Sequence, residues 1–96
     1  MEHIELRRTI LKCLYETFKE YPYAAVELNY LEEKCNTDVK SLNWNIVYLE
    51  KCGYVELAKS VESYSYVALS ATITAIGIDL IENEFEFNKK FSIKQL

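Results

Sequence analysis

The sequence predicts a small α+β domain, mainly helical with one β-hairpin, ordered helix, short strand, helix, helix, strand, strand, helix. Three observations predict it. Apolar residues recur at threes and fours through three separate stretches of residues 1–51, which is helical periodicity. Gly53 closes the third stretch, and two segments rich in β-formers follow, 54–59 and 64–69. Thr74 then opens a last apolar-periodic stretch. With 96 residues, half of them hydrophobic, the chain suits one domain over residues 1–96 and one modest core.

The first helix is expected over 2–20. Ile4, Leu6, Ile10, Leu11, Leu14 and Phe18 line one side, and Arg7, Arg8, Lys12, Glu16 and Lys19 cover the rest. Tyr21-Pro22-Tyr23 ends it, because the residue before proline avoids helical angles. A short extended piece over 23–26 leads to a second helix, 28–35, with Leu28, Leu31 and Cys35 inward. Asn36-Thr37-Asp38 is a polar break whose Thr and Asp both suit a helix N-cap.

The third helix, 38–51, has the sharpest pattern. Val39, Leu42, Ile46 and Leu49 fall within roughly 80° of arc at 100° per residue. Gly53 fits the position after a helix where a left-handed backbone is needed. Residues 54–59 read as a strand, 60–63 as a turn and 64–69 as the returning strand. Residues 70–74 are expected to lead into the last helix, with Ile76, Leu80 and Ile81 as its apolar stripe. Gly77 in its first turn costs about 1 kcal/mol relative to alanine, which suggests close packing there. In the tail, 84–96, Phe85, Phe87 and Phe91 alternate with charges and suit a docking or dimerising segment.

Composition narrows the function classes. Fifteen acids against eleven Lys and Arg give a net charge of −4, and none of the segments 1–36, 37–52, 53–71 and 72–96 is net positive. Non-specific DNA affinity comes mostly from neutralised phosphates, so nucleic-acid binding here must rest on local arrangement. Cys13, Cys35 and Cys52 lack metal-ligand spacing and read as reduced thiols. The opening residues do not read as a signal peptide, and no apolar run suits a membrane span, so a cytoplasmic protein is expected. His3 is the single histidine, and no catalytic triad, phosphate-cradling glycine loop or helical zinc motif occurs. Neither an enzyme nor a cofactor is expected.

Two motifs carry a family resemblance. Tyr48-Leu49-Glu50-Lys51-Cys52-Gly53-Tyr54-Val55 resembles the junction between recognition helix and wing in winged helix-turn-helix regulators of bacteria and archaea. The segment from Thr74 to Glu82, with Gly77 at its fourth position, resembles the start of the helix that follows the wing in many of them. The motifs cover 17 residues, and the helical spacing extends the likeness over about 4–83. The resemblance implies a DNA-binding domain, a small dimeric transcriptional regulator, with the third helix in the major groove and the hairpin as a wing. Function by fold likeness is analogy, so a protein-contact module remains the alternative.

The implied contact residues are Lys40, Ser41, Asn43, Trp44, Tyr48 and Lys51 on the third helix, and Lys59 and Tyr64 on the wing. Lys40 suits phosphate or guanine, Tyr48 suits phosphate, and Asn43 suits adenine or phosphate. Residues 39–49 contain no acid, as DNA contact requires. Trp44 is costly to leave in water, so packing on its own fold or in a homodimer is preferred over DNA for that side chain. Glu56 and Glu62 leave the wing slightly acidic, and Tyr54, Tyr64 and Tyr66 favour sheet packing or protein contact. Arg7, Arg8 and Lys12 read as a solvated patch answered by Glu5 and Glu16.

Overall fold

The computed structural model describes residues 3–59 and 68–92. Five helices and a three-stranded antiparallel sheet make up these residues: α1 (His3–Glu20), β1 (Val26–Glu27), α2 (Leu28–Cys35), α3 (Val39–Lys51), β2 (Val55–Lys59), β3 (Ala68–Ile73), α4 (Ala75–Glu82) and α5 (Glu84–Lys90). The α+β class and the element order expected from the sequence hold, with one helix more than expected at the C-terminal end. The expected turn at 60–63 and Tyr64 lie outside the described residues.

The core is one cluster. Leu6, Ile10, Leu11 and Leu14 from α1 meet Leu28, Leu31 and Cys35 from α2 and Leu42, Ile46 and Leu49 from α3. Val55, Ala71 and Ile73 of the sheet close it on one side, and Phe87 and Phe91 on another. The strand order is β1-β3-β2, so β3 is central. Ala71 faces Val26 of β1 on one side and Leu57 of β2 on the other.

That pairing corrects the expected lead-in at 70–74. Ser70 and Ala71 have weak strand propensity, but ladders on both sides hold them extended, and the strand runs on through Thr72 to Ile73 beside β2. Four further expectations change. Ile4 is 43% exposed, so the inward side of α1 begins at Leu6. Val39 is 47% exposed, so the inward stripe of α3 is Leu42, Ile46 and Leu49. Ile76 turns outward, and Gly77 and Ile78 take the buried side of α4. In the tail, α5 buries Phe87 and leaves Phe85 73% exposed, while Phe91 just beyond it enters the core.

Helix ends follow local chemistry. Asn36 adopts φ 50° and Gly53 φ 85°, the left-handed positions that terminate α2 and α3. Behind α3, the Gly53 N–H donates to Glu50 O and the Tyr54 N–H to Leu49 O, which is the Schellman arrangement. The Thr74 side chain caps α4 by accepting from the Gly77 N–H (3.1 Å) and donates its own proton to Gly53 O (2.6 Å). The Thr74 N–H donates to Tyr54 O (3.0 Å), and a Cβ on Gly77 would stand 2.3 Å from that same carbonyl oxygen. The two sequence motifs are therefore halves of one junction. Glycine at 77 is what lets the chain leaving α3 pass against the start of α4.

Candidate functional site

Helix α3 is held by everything except its outer side. Asp38 caps it by accepting from the Ser41 N–H at 2.7 Å. That backbone hydrogen bond holds the Asp38 carboxyl below its ordinary range. Leu42, Ile46 and Leu49 are fully buried beneath the helix. Lys40, Trp44 and Lys51 point into solvent, and Trp44 is 61% exposed. The imidazole of His3 meets the Trp44 ring edge-on at 4.6 Å, which partly meets the expectation that Trp44 packs on its own fold. His3, Val39, Lys40 and Trp44 border an open hollow of about 640 Å³ at this end of the helix.

Other residues expected to be available for contact are engaged by the fold. Asn43 is not a free carboxamide: its Oδ1 accepts from the Ala68 N–H at 3.1 Å and so pins the start of β3 to α3. Ser41 is engaged through its backbone: its N–H goes to the cap and its carbonyl accepts from Asn45. Lys59 is not free for phosphate, because its Nζ lies 3.1 Å from Glu50 Oε1, an ion pair joining β2 to α3. Tyr48 carries the Arg7 guanidinium 3.7 Å above its ring centre.

Asn45 is the residue that periodicity missed. It lies roughly 40° beyond the edge of the apolar arc, at the border between inside and outside. It is fully buried, the one buried polar residue among those described. Its Oδ1 accepts from Arg7 Nε at 2.9 Å and its Nδ2 donates to Ser41 O at 2.8 Å. Those partners fix which way the amide points. The 3.0 Å contact from Nδ2 to His3 Nδ1 is then a donation to an unprotonated ring nitrogen. A buried polar group with every bond made is cheap to keep and expensive to disturb.

Arg7 and Arg8 are likewise not the solvated patch expected. Both are half-buried. Arg8 donates from Nη1 to the Phe91 carbonyl (3.3 Å) and lies 4.6 Å from the Phe87 ring centre. Neither forms an ion pair among the described residues, where Lys19–Glu16 and Lys59–Glu50 are the two pairs present. Glu16 thus answers Lys19. No spacing rule marks an arginine that packs on an aromatic ring far along the chain.

No group of three or more His, Cys, Asp or Glu among the described residues is placed to hold a metal ion. The three thiols are unpaired; burial pushes Cys35 up to about 11 and raises Cys13 as well, so both stay protonated at neutral pH. No described helix is long and apolar enough to cross a membrane.

No family model, curated protein or solved structure matches this chain.

Proposed function

We propose that the chain is a winged helix-turn-helix domain that binds double-stranded DNA through the outer side of α3, as a small transcriptional regulator acting as a dimer. The observation that carries this reading is the division of α3. Its anchoring residues, Leu42, Asn45, Ile46 and Leu49, are buried, while its exposed side presents Lys40, Trp44 and Lys51 with no acid between Val39 and Leu49. The break at 36–38 between α2 and α3, the β1-β3-β2 sheet and the Gly53–Thr74–Gly77 junction support the winged-helix assignment. With Asn43 committed to Ala68, base reading falls to Lys40 and Trp44, and Lys51 suits phosphate.

The test is an anisotropy titration of the full chain with labelled duplexes at low salt. Binding that weakens steeply as salt rises is expected. Lys40→Ala weakens all duplexes alike if it meets phosphate, or relaxes preference at one base pair if it reads a base, a difference of about 1–3 kcal/mol. No binding at tens of micromolar overturns the reading.

One observation favours a second reading, a protein-contact domain. Trp44 and Val39 form exposed apolar surface beside the hollow, in a chain of net charge −4. A partner retained after nuclease treatment and lost in Trp44→Ala would replace DNA with protein.

A further inference from the structure

Where α1, the end of α3 and α5 come together, three cations gather on aromatic rings. Arg7 rests on Tyr48, and Arg8 rests on Phe87. Lys90 lies 5.6 Å from the Tyr54 ring centre. Interaction with the Tyr54 side chain raises the Lys90 pKa. Tyr54 in turn meets Phe91 edge-on at 6.3 Å, and Phe91 supplies the carbonyl that Arg8 bonds. Lys51, three residues after Tyr48, shares that side of α3 and is exposed.

These cations lack carboxylate partners among the described residues. Glu5 precedes Arg8 by three residues and Glu86 precedes Lys90 by four, the spacings that ordinarily make helical ion pairs, and neither pair forms. Of the acids on these elements, Glu16 is taken by Lys19 and Glu50 by Lys59. Each arginine is also held in place before any ligand arrives. Arg7 commits Nε to Asn45 and one face to Tyr48, so its remaining N–H edge is already oriented. Stacked guanidinium groups with unspent edges suit tetrahedral oxyanions, and tyrosine hydroxyls add neutral donors of the kind that DNA phosphates accept. An acidic chain has placed unpaired positive charge along one flank of the helix that the duplex reading puts in the groove.

We infer that this seam, Arg7, Arg8 and Lys90 with Lys51 at its edge, binds phosphates of a duplex backbone while α3 enters the adjacent groove. The inference rests on the duplex reading and deepens it: the seam supplies the local electrostatic affinity that a net charge of −4 denies the molecule as a whole.

The experiment is a salt series of anisotropy titrations with one labelled duplex. Arg7→Gln/Lys90→Gln is compared with wild type, with Lys90→Glu and with Lys34→Gln on α2 as a control away from the seam. Lys90→Glu guards against misfolding, because Lys90 is exposed and rests on the Tyr54 ring at the surface. The double variant is expected to bind about tenfold or more weakly, with the slope of log K against log salt smaller by about 2, since each phosphate contact contributes about 0.9. Lys90→Glu should lose affinity too, and Lys34→Gln should keep the wild-type slope. Duplex binding whose slope is unchanged in both seam variants overturns the seam and leaves the α3 reading intact. Failure of the wild type to bind duplex overturns both. Binding of poly-L-glutamate instead, lost in Lys90→Glu, would give the seam to an acidic protein and end the phosphate assignment.

Discussion

Helix α3 is tied to the domain by two seams built from different materials. At its C-terminal end, the junction with α4 uses backbone atoms, one hydroxyl and two glycines: Gly53 O, Tyr54 O, the Thr74 hydroxyl and the space left at Gly77. Along its flank, the seam with α1 uses long side chains: Arg7 reaches Asn45 and Tyr48 across 38 and 41 positions of sequence, and His3 reaches Asn45 and Trp44. The first seam demands particular residue types at fixed spacings, because glycine takes a left-handed turn without strain and alone leaves room for a carbonyl packed this closely against a helix. The second accepts residue types that also populate any solvated surface. A seam of the first kind has almost no tolerance, and one of the second kind can give way a bond at a time.

Gly77→Ala tests the intolerant seam and should have the largest effect. Alanine gains about 1 kcal/mol in helix propensity. Its Cβ, however, would meet Tyr54 O at 2.3 Å and Ile73 Cγ1 at 3.0 Å, and a carbonyl tied to the Thr74 N–H cannot step aside without losing that bond. Overpacking of this sort costs about 1–3 kcal/mol, occasionally more, and the lost hydrogen bond adds about 1 kcal/mol. We expect a net loss of about 2 kcal/mol and a melting temperature lower by roughly 10 °C. An unchanged or raised melting temperature would show that the junction flexes, and the contrast between the seams would disappear.

Asn45→Leu tests the side-chain seam and should cost less. Leucine keeps the branched outline of the amide, with bulkier methyl groups, but leaves Arg7 Nε without its acceptor and Ser41 O without its side-chain donor, a loss of about 1–3 kcal/mol if both stay buried. Arg7 is only half-buried and can turn to water, so about 1 kcal/mol is the expected result by urea denaturation. The double variant Arg7→Met/Asn45→Leu should recover part of that loss, because it removes both ends of one bond together. Strict additivity would mean that the pair contributes nothing beyond its separate parts.

The same contrast explains what the sequence could reveal. The stops at Gly53 and Asn36, the caps at Asp38 and Thr74 and the tight approach at Gly77 are enforced within a few residues, and each was legible from residue type and spacing. The inward stripe of α3 was legible in Leu42, Ile46 and Leu49 and misread at Val39, which sits in the first turn where no neighbour covers it. Ser70 and Ala71 were misread because their strand exists through pairing with β1 and β2, and local propensity holds no record of that; Thr72 and Ile73 are β-formers, but the helix cap at Thr74 beside them drew them into the lead-in. For the site, Lys40, Trp44 and Lys51 emerged on the expected side. The engagement of Asn43 with Ala68, of Lys59 with Glu50 and of Arg7 with Asn45 comes from contacts 25, 9 and 38 residues apart, which periodicity does not encode.

The smallest expected effect lies at the N-terminal end of α3, where Asp38 provides a local, titratable counterpart to the neutral Thr74 cap. Its carboxyl is held below the ordinary value of 3.8, chiefly by the Ser41 N–H it accepts. A carboxylate whose folded pKa is depressed stabilises the protein at pH values above its unfolded pKa. That contribution fades as pH falls through the lower, folded value, because below both values each state carries the proton. The favourable interaction of a negative cap with the helix N-terminus fades over the same window. In Asp38→Asn the side-chain oxygen still accepts from Ser41 but does not titrate. Urea denaturation from neutral pH down to strong acid should therefore show wild type slightly more stable than Asp38→Asn at neutral pH, with the gap closing as pH falls through the folded value. A gap that stays constant would mean that the cap acts by its hydrogen bond alone, charge playing no part. The start of α3 would then be held, like its junction with α4, by geometry without electrostatics.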